Sequence, residues 1–435
     1  MADIVIKNGL VLTMNPLDNQ KLIKSNVIIE DGLIKEISSS NDSANQVIDA
    51  SGCVVMPGLV NTHTHAAMTL LRGYADDLSL KSWLENNMWP VEAQMSSDDI
   101  YTGTLLACAE MIKSGTTSFA DMYFEPDSIA KAVEKSGMRA SISYGMIELG
   151  DTEKGKIELK KGKKFVDEWT GKAGGRINTM YGPHAPNTCS KDFLVKVKNQ
   201  ARKDGKKIHI HVLETEAELN EMKEKYGKCS INMLEDIDFF DKDILAAHCV
   251  WLSQGDIEIL NEKNVNVSHN PTSNMKLASG TSPVYDMWRK GVNLSIGTDG
   301  CASNNNLDMF KEMKLASLLQ KVTNNDPTVL KAYDVIKMAT SNGASSMDIK
   351  SGILKEGFNA DLILVDMNKL HLTPIYDPIS HLVYSANGSD VKTTIVNGKV
   401  LMDNYRLTNL DEKLIMQEAS NTSQDLIDRV KSVAQ

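Results

Sequence analysis

The chain has 435 residues, 42% hydrophobic and 24% charged, with a net charge of −10. Such a composition excludes a disordered chain, and the length suits one large barrel with an accessory domain better than one small core. No basic stripe or Lys/Arg block stands out, no run reaches about 18 apolar residues and the six cysteines are scattered, which argues against nucleic acid, a membrane span and a disulfide framework.

In chain order, residues 1–57 predict β-hairpins. DIVIKNGLVLTM is expected to turn at Asn8-Gly9, and NVIIEDGLIKEIS at Asp31-Gly32, because Asn-Gly and Asp-Gly between apolar, β-branched runs favour tight hairpin turns. The start carries charge at Asp3 and Lys7 and lacks the order of a signal peptide, so a cytoplasmic protein is expected. From residue 58 the pattern alternates between short apolar runs and helical stretches such as DDIYTGTLLACAEMIKSG and SKDFLVKVKNQARKDG. The runs are GLVNTHTH, TTSFADM, RASISYGMI, RINTMYGPH, KIHIHVLE, DILAAHCV, NVNVSHNP and NLSIGTDG. Continuous apolar strands alternating with helices imply a buried parallel sheet. Eight such units predict an α/β fold, a (β/α)8 TIM-type barrel over residues 58–354, with a doubly wound open sheet as the alternative. The charged stretch 148–175 predicts a solvated helix with its flanks.

Residues 355–435 return to the opening pattern. DLILVD is followed by VKTTIVNGKVLMDNY, with Asn397-Gly398 at its turn, and IVNGKVLMD looks like IKNGLVLTM. Residues 1–57 and 355–435 are therefore expected to build one small β-sandwich from both termini. An amphipathic helix from Asp411 should pack on the body.

Chemistry in such a barrel gathers at the C-terminal ends of the strands. Seven of the nine histidines fall there: His63, His65, His184, His209, His211, His248 and His269. Glu214 follows the fifth strand and Asp299 ends the eighth. His63 and His65, two apart on a strand, share one face, and two imidazoles side by side are a partial ligand set for a divalent ion. A closed barrel points His211 and Asp299 at the same axis. Three imidazoles and one carboxylate with room for water suit a catalytic zinc, with iron or manganese as alternatives. One ion is expected, because a two-ion site needs a bridging ligand, often a carboxylated lysine, and the fourth strand ends YGPHAP. His209 lies one layer deeper, as a support for a ligand or as an interior histidine. His269 is expected to shape the site by hydrogen bonding. His371 and His381 lie outside the barrel and are given no chemical role.

In this order, PGLVNTHTH, GPHAPNTCS, HVLETEAE, AHCVWL, SHNPTSNMKLASG, GTDGCASNN and SGILKEGFNADLILVD resemble the amidohydrolase superfamily, and within it the 5-methylthioadenosine/S-adenosylhomocysteine deaminase branch. The resemblance covers almost the whole chain. It implies metal-dependent hydrolytic deamination of the adenine ring of 5′-methylthioadenosine, S-adenosylhomocysteine or adenosine, giving the inosine analogue and ammonia. It implies His63, His65, His211 and Asp299 as metal ligands, Glu214 as proton shuttle, and His248 as the group that orients water and leaving group. Asp299 would also accept the proton of the water. Trp83, Glu92 and His184 match positions used for substrate, Trp83 packing on the nucleoside and Glu92 accepting from ribose hydroxyls, with Glu214 meeting the base. Some relatives place an arginine after the third strand to meet the homocysteine carboxylate. Here Tyr144 stands there, and Arg139 is the one arginine close by. Met88, Trp89 and Met95 read as packing. The partner expected is a small nucleoside, with a homo-oligomer compatible with the sequence. The alternatives are guanine, cytosine or an s-triazine at the same site. A non-catalytic scaffold would carry damaged ligands, and all four are present.

Overall fold

The computed structural model describes residues 2–18, 22–39, 43–78 and 80–433; Met1 and Gln435, at the outer limits of the terminal segments, lie outside them. Eight strands follow one another in a single sheet: Leu59–Thr64, Thr116–Tyr123, Arg139–Met146, Ile177–Pro183, Ile208–Val212, Ile244–His248, Asn266–His269 and Asn293–Ile296. Every neighbouring pair is parallel. The second and third strands are buried along their whole length, which unbroken apolar runs require of a sheet covered on both faces. The eighth and first strands are stitched together without a ladder. Thr298 N–H donates to Asn61 Oδ1 (3.0 Å), Asn61 Nδ2 to Thr298 Oγ1 (2.7 Å), and Asp299 N–H to the His63 carbonyl (2.9 Å). The sheet thus closes into a TIM-type barrel.

The helices between strands begin where short polar side chains take up free N–H groups. Ser96 and Asp99 form a capping box at the head of Ser97–Lys113, and Ser190 caps Lys191–Asp204. The charged stretch forms Thr152–Trp169, capped by Asp151, but it is less solvated than its composition predicts. Phe165 and Val166 are buried, and buried Glu158 accepts from Tyr144 Oη at 2.8 Å.

Strands from both termini build one nine-stranded mixed sheet. Its order is Arg406–Leu407, Lys399–Asp403, Val391–Val396, Leu362–Asp366, Cys53–Pro57, Ala2–Leu12, Leu22–Glu30 and Leu33–Ser38, with Ala44–Asp49 also paired to Ala2–Leu12. The turns at Asp31-Gly32 (φ 53° and 77°) and Asn397-Gly398 (φ 50° and 70°) form as the sequence predicts. The two tips meet: a Cβ on Gly398 would stand 2.7 Å from Gly32 Cα. The sheet therefore folds over a core of its own, including Ile6, Val27, Ile34, Val55, Leu362 and Ile395.

Asn8-Gly9 is different. Ala2–Leu12 runs through as one strand, and Asn8 (φ 65°) marks a bulge at which pairing with Leu22–Glu30 shifts register. Before the bulge the strand pairs with Ala44–Asp49, and after it with Cys53–Pro57. A Cβ on Gly9 would stand 2.5 Å from Val55 Cγ2, so the close approach of the strands demands glycine.

Arg139 opens the third barrel strand at the end opposite the histidines. Its Nε donates to Asp361 Oδ2 (2.7 Å) and its Nη2 to Asp361 Oδ1 (3.2 Å), both groups being buried. It ties barrel to sheet and does not line the cavity described below. Arg139→Met is expected to strand the Asp361 carboxylate and to cost about 3–5 kcal/mol, read from the denaturation midpoint; an unchanged midpoint would make the pair ornamental. The helix Glu412–Val433 packs on the barrel as expected, with Leu426 buried and Arg429 donating to Asp99 Oδ2 at 2.6 Å. All six cysteines are buried and unpaired. Among the described residues, no helix is long and apolar enough to cross a membrane.

Candidate active site

The first, fifth, sixth and eighth strand ends bring His63, His65, His211, His248 and Asp299 together. Ligand atoms of His63, His65 and Asp299 lie within 4.8 Å of one another, as do those of His63, His211 and His248. Asp299 Oδ1 stands 3.3 Å from His63 Nε2 and 3.2 Å from His65 Nε2, and His211 Nε2 stands 3.4 Å from His65 Nε2. The eighth strand approaches this closely because Gly297 has no side chain: a Cβ there would lie 2.8 Å from His63 Cβ. Asp299 (φ 64°) and His248 (φ 72°) both take the left-handed conformation, strain typical of functional positions.

Each imidazole is oriented through its other nitrogen. His65 Nδ1 donates to the Met122 carbonyl (2.6 Å) and His211 Nδ1 to the His184 carbonyl (2.8 Å). His63 Nδ1 and His209 Nε2 are 2.8 Å apart, so His209 supports His63 from below. The Nε2 atoms of His63, His65 and His211 are thereby turned toward the centre, the arrangement metal-binding histidines use. His63 Nε2 is buried with no hydrogen-bond partner. Burial pushes His63 down to about 3 and His211 well below the usual imidazole range, favouring the neutral, coordinating form. At His65 burial also acts downward, but the Asp299 carboxylate outweighs it and lifts the group to about 9. Burial would raise Asp299, yet its contacts with His63 and His65 hold it well below the usual carboxylate range. Imidazoles converging beside an ionised carboxylate fit a divalent cation, whose binding would displace the proton that His65 holds against Asp299.

Above this cluster lies a cavity of about 130 Å³. Trp83, Glu92, His184 and Glu214 all line it, with His65, His211, His248 and Asp299. Trp83 and Glu92 sit on helical segments joined by a wider turn, Leu84–Met88, next to Pro90, which has no N–H to continue a regular helix. His184 Nδ1 meets Thr188 Oγ1 at 3.0 Å. Glu214 Oε2 lies 3.9 Å from His248 Nε2. Burial raises the Glu214 carboxyl above its ordinary range; His248 opposes this and Asp299 adds to it. Trp89, expected to be packing, lines the cavity half-exposed, whereas Met88 is buried. Among the described residues, neither ring nitrogen of buried His269 finds a hydrogen-bond partner.

Several residues that act on the site carry no sequence signal of it. Tyr123 Oη donates to Glu92 Oε1 (2.6 Å), and Asn274 Oδ1 accepts from His248 Nδ1 (2.9 Å). Ser273 and Ser303 donate to Asp299 Oδ2 (2.6 and 2.9 Å), leaving Oδ1 for the centre.

A barrel with this histidine and aspartate cluster at its strand ends defines a class, and residues 54–401 match the amidohydrolase family. The chain belongs to the amidohydrolase family, and it is a hydrolase of the deaminase type. It is 64% identical over 433 residues to a 5′-deoxyadenosine deaminase of Methanosarcina mazei, covering 99% of this chain and 100% of the relative. It is 48% identical over 435 residues to a 5-methylthioadenosine/S-adenosylhomocysteine deaminase of Pelotomaculum thermopropionicum, covering 99% and 100%. The crystal structure of a zinc-bound adenosine deaminase from Xanthomonas campestris superposes with a TM-score of 0.93 at 32% identity, covering 99% of each chain.

Proposed function

We propose that the protein removes the 6-amino group of adenine nucleosides whose 5′ end is apolar, 5′-deoxyadenosine and 5′-methylthioadenosine. It would use one divalent ion, zinc, held by His63, His65, His211 and Asp299. The cavity lining carries this reading. Leu84, Trp89, Met122, Phe124, Ile147 and Leu277 line it, and no lysine or arginine is among the described lining residues. A homocysteine carboxylate would be desolvated there without a cationic partner. The 64% identity to a 5′-deoxyadenosine deaminase supports the same choice, since 5′-deoxyadenosine carries only a methyl group at that end.

The reaction adds water at C6 and expels ammonia, leaving the inosine analogue. An ion held by His63, His65, His211 and Asp299 would supply Lewis acidity and lower the pKa of bound water toward about 7. His248, held by Asn274 through Nδ1, keeps Nε2 toward the site and orients the attacking water. Asp299 takes the proton of that water. Glu214 protonates N1 as the ring accepts electron density; the resulting carboxylate then takes the proton of the new C6 hydroxyl and passes it to the departing amine, and the proton held by Asp299 returns Glu214 to its acid form. Its raised pKa favours the protonated acid that the first of these steps requires. Trp83 packs on the nucleoside, His184 contacts it, and Glu92 accepts from the ribose hydroxyls.

The test is the fall in adenine absorbance with each nucleoside, compared by kcat/KM. 5′-Deoxyadenosine and 5′-methylthioadenosine are expected to exceed S-adenosylhomocysteine by at least about tenfold, the scale of one mismatched group in a pocket. S-adenosylhomocysteine as the best substrate would overturn the apolar-end reading. Ammonia from guanine, cytosine or an s-triazine alone would overturn the adenine assignment.

Tyr123 fixes the Glu92 rotamer, so Tyr123→Phe is expected to raise KM about tenfold, the worth of a charge-assisted hydrogen bond, with kcat nearly unchanged. The same variant should treat a 2′,3′-dideoxy substrate like the wild type does. Equal losses on both substrates would show that Tyr123 acts elsewhere.

A further inference from the structure

We infer that Glu218 is a positioning residue for Glu214: it pins the Leu213–Glu214 peptide in the orientation that sets Glu214 against His248. The inference rests on the proton-transfer role proposed for Glu214.

Three residues, Leu213 to Thr215, separate the strand Ile208–Val212 from the helix Glu216–Tyr226. Leu213 is left-handed (φ 49°), a conformation that a leucine does not choose for itself. Something must hold it. Thr215 caps the helix by accepting from Glu218 N–H at 3.1 Å. In a capping box the Glu218 carboxylate would return to the Thr215 N–H. It reaches further up the chain instead. Oε1 accepts Leu213 N–H and Oε2 accepts Glu214 N–H, both at 3.0 Å, and Ser230 Oγ donates to Oε1 at 2.7 Å.

The opposite side of the same peptide is held as well. The Leu213 carbonyl accepts from Val250 N–H (3.0 Å) and Trp251 N–H (3.2 Å). These two residues directly follow His248 and Cys249, themselves left-handed at φ 72° and 48°. One peptide plane is thus gripped by Glu218 through its N–H and by the His248 loop through its C=O. That plane carries Glu214 on one side and registers it against His248. Glu218 is 6% exposed and is not among the described residues lining the cavity, so it acts through this peptide and not on substrate. Two converging N–H groups need an acceptor with two oxygens. Glutamine offers one, and would turn a donor toward the other N–H.

The test uses the full-length enzyme loaded with zinc. Glu218→Gln is expected to lower kcat about 10- to 100-fold, the cost of a misplacement near 1 Å, with KM within about threefold of wild type. Metal content, measured by elemental analysis, should stay stoichiometric. In a Glu214→Gln background the same change should lower the residual rate by less than about twofold, because the group it positions is already disabled. Ser230→Ala, which removes one of the three hydrogen bonds, is expected to lower kcat about 2- to 5-fold alone and not at all in that background; it decides the matter if Glu218→Gln does not fold. Wild-type kcat in Glu218→Gln, losses that multiply onto Glu214→Gln, or metal lost in proportion to activity would each overturn the inference. A fully active Glu214→Gln would instead overturn the shuttle reading, and that variant is measured first.

Discussion

Asp299→Ala is expected to abolish turnover, by about 10³-fold or more, the several kcal/mol that a Lewis acid supplies, and to lower bound divalent metal well below one per chain. Among the described residues, Asp299 is the carboxylate grouped with His63 and His65 as a candidate ligand. Its Oδ1 faces two ring nitrogens, while Ser273 and Ser303 occupy Oδ2, so the carboxylate cannot rotate to serve elsewhere. Without it the converging imidazoles must gather a dication with no anionic ligand among them. Elemental analysis and ammonia release should fall together, and added zinc should not restore the rate. His381→Ala removes an imidazole that belongs to neither candidate ligand group and bonds only to the Asp377 and Pro374 carbonyls among the described residues, and it serves as the control. An Asp299→Ala enzyme with a full complement of metal and undiminished rate would refute the ion site.

Glu214→Gln is expected to separate the two functions of the site. Glutamine keeps the size of the side chain but cannot deliver a proton. Loss of a positioned acid and base costs about 10²–10⁴-fold, so kcat should drop by that factor while metal content stays at wild-type level. The nearest histidine nitrogen is 3.9 Å away, too far for a hydrogen bond to replace the lost group. A Glu214→Gln enzyme at full rate would assign the proton transfers to another residue.

The barrel was legible because parallel strands covered on both faces leave uninterrupted apolar runs, and all eight runs form strands. The convergence of His63, His65, His211 and Asp299 was legible for a related reason: a closed barrel turns every strand end toward one axis. Asn8-Gly9 misled because a β-bulge and a tight turn call for the same left-handed residue beside a small one. Chain-local reasoning cannot tell which partner strand lies alongside. Tyr123, Asn274, Ser273 and Ser303 were illegible because each works by one hydrogen bond to a residue on another element. Glu218 carried a signal of the wrong kind. Thr215-x-x-Glu218 reads as a capping box, and the carboxylate goes one and two residues beyond the place that pattern assigns it.

The strand Cys53–Pro57 leads directly into Leu59–Thr64, which carries His63, and its flank is covered by Leu362–Asp366 from beyond the whole barrel. Gly58 N–H, at the joint, donates to the Asp361 carbonyl at 3.1 Å. During synthesis on a ribosome, the root of the first histidine strand therefore emerges long before the neighbour that will shield it. Its edge stays open, and sticky, until the last fifth of the polypeptide is made. Vectorial folding can assemble helices and inner strands early, but the hydrolytic centre gains its footing last, so translation cut short yields a chain that chaperones must guard and that does no chemistry.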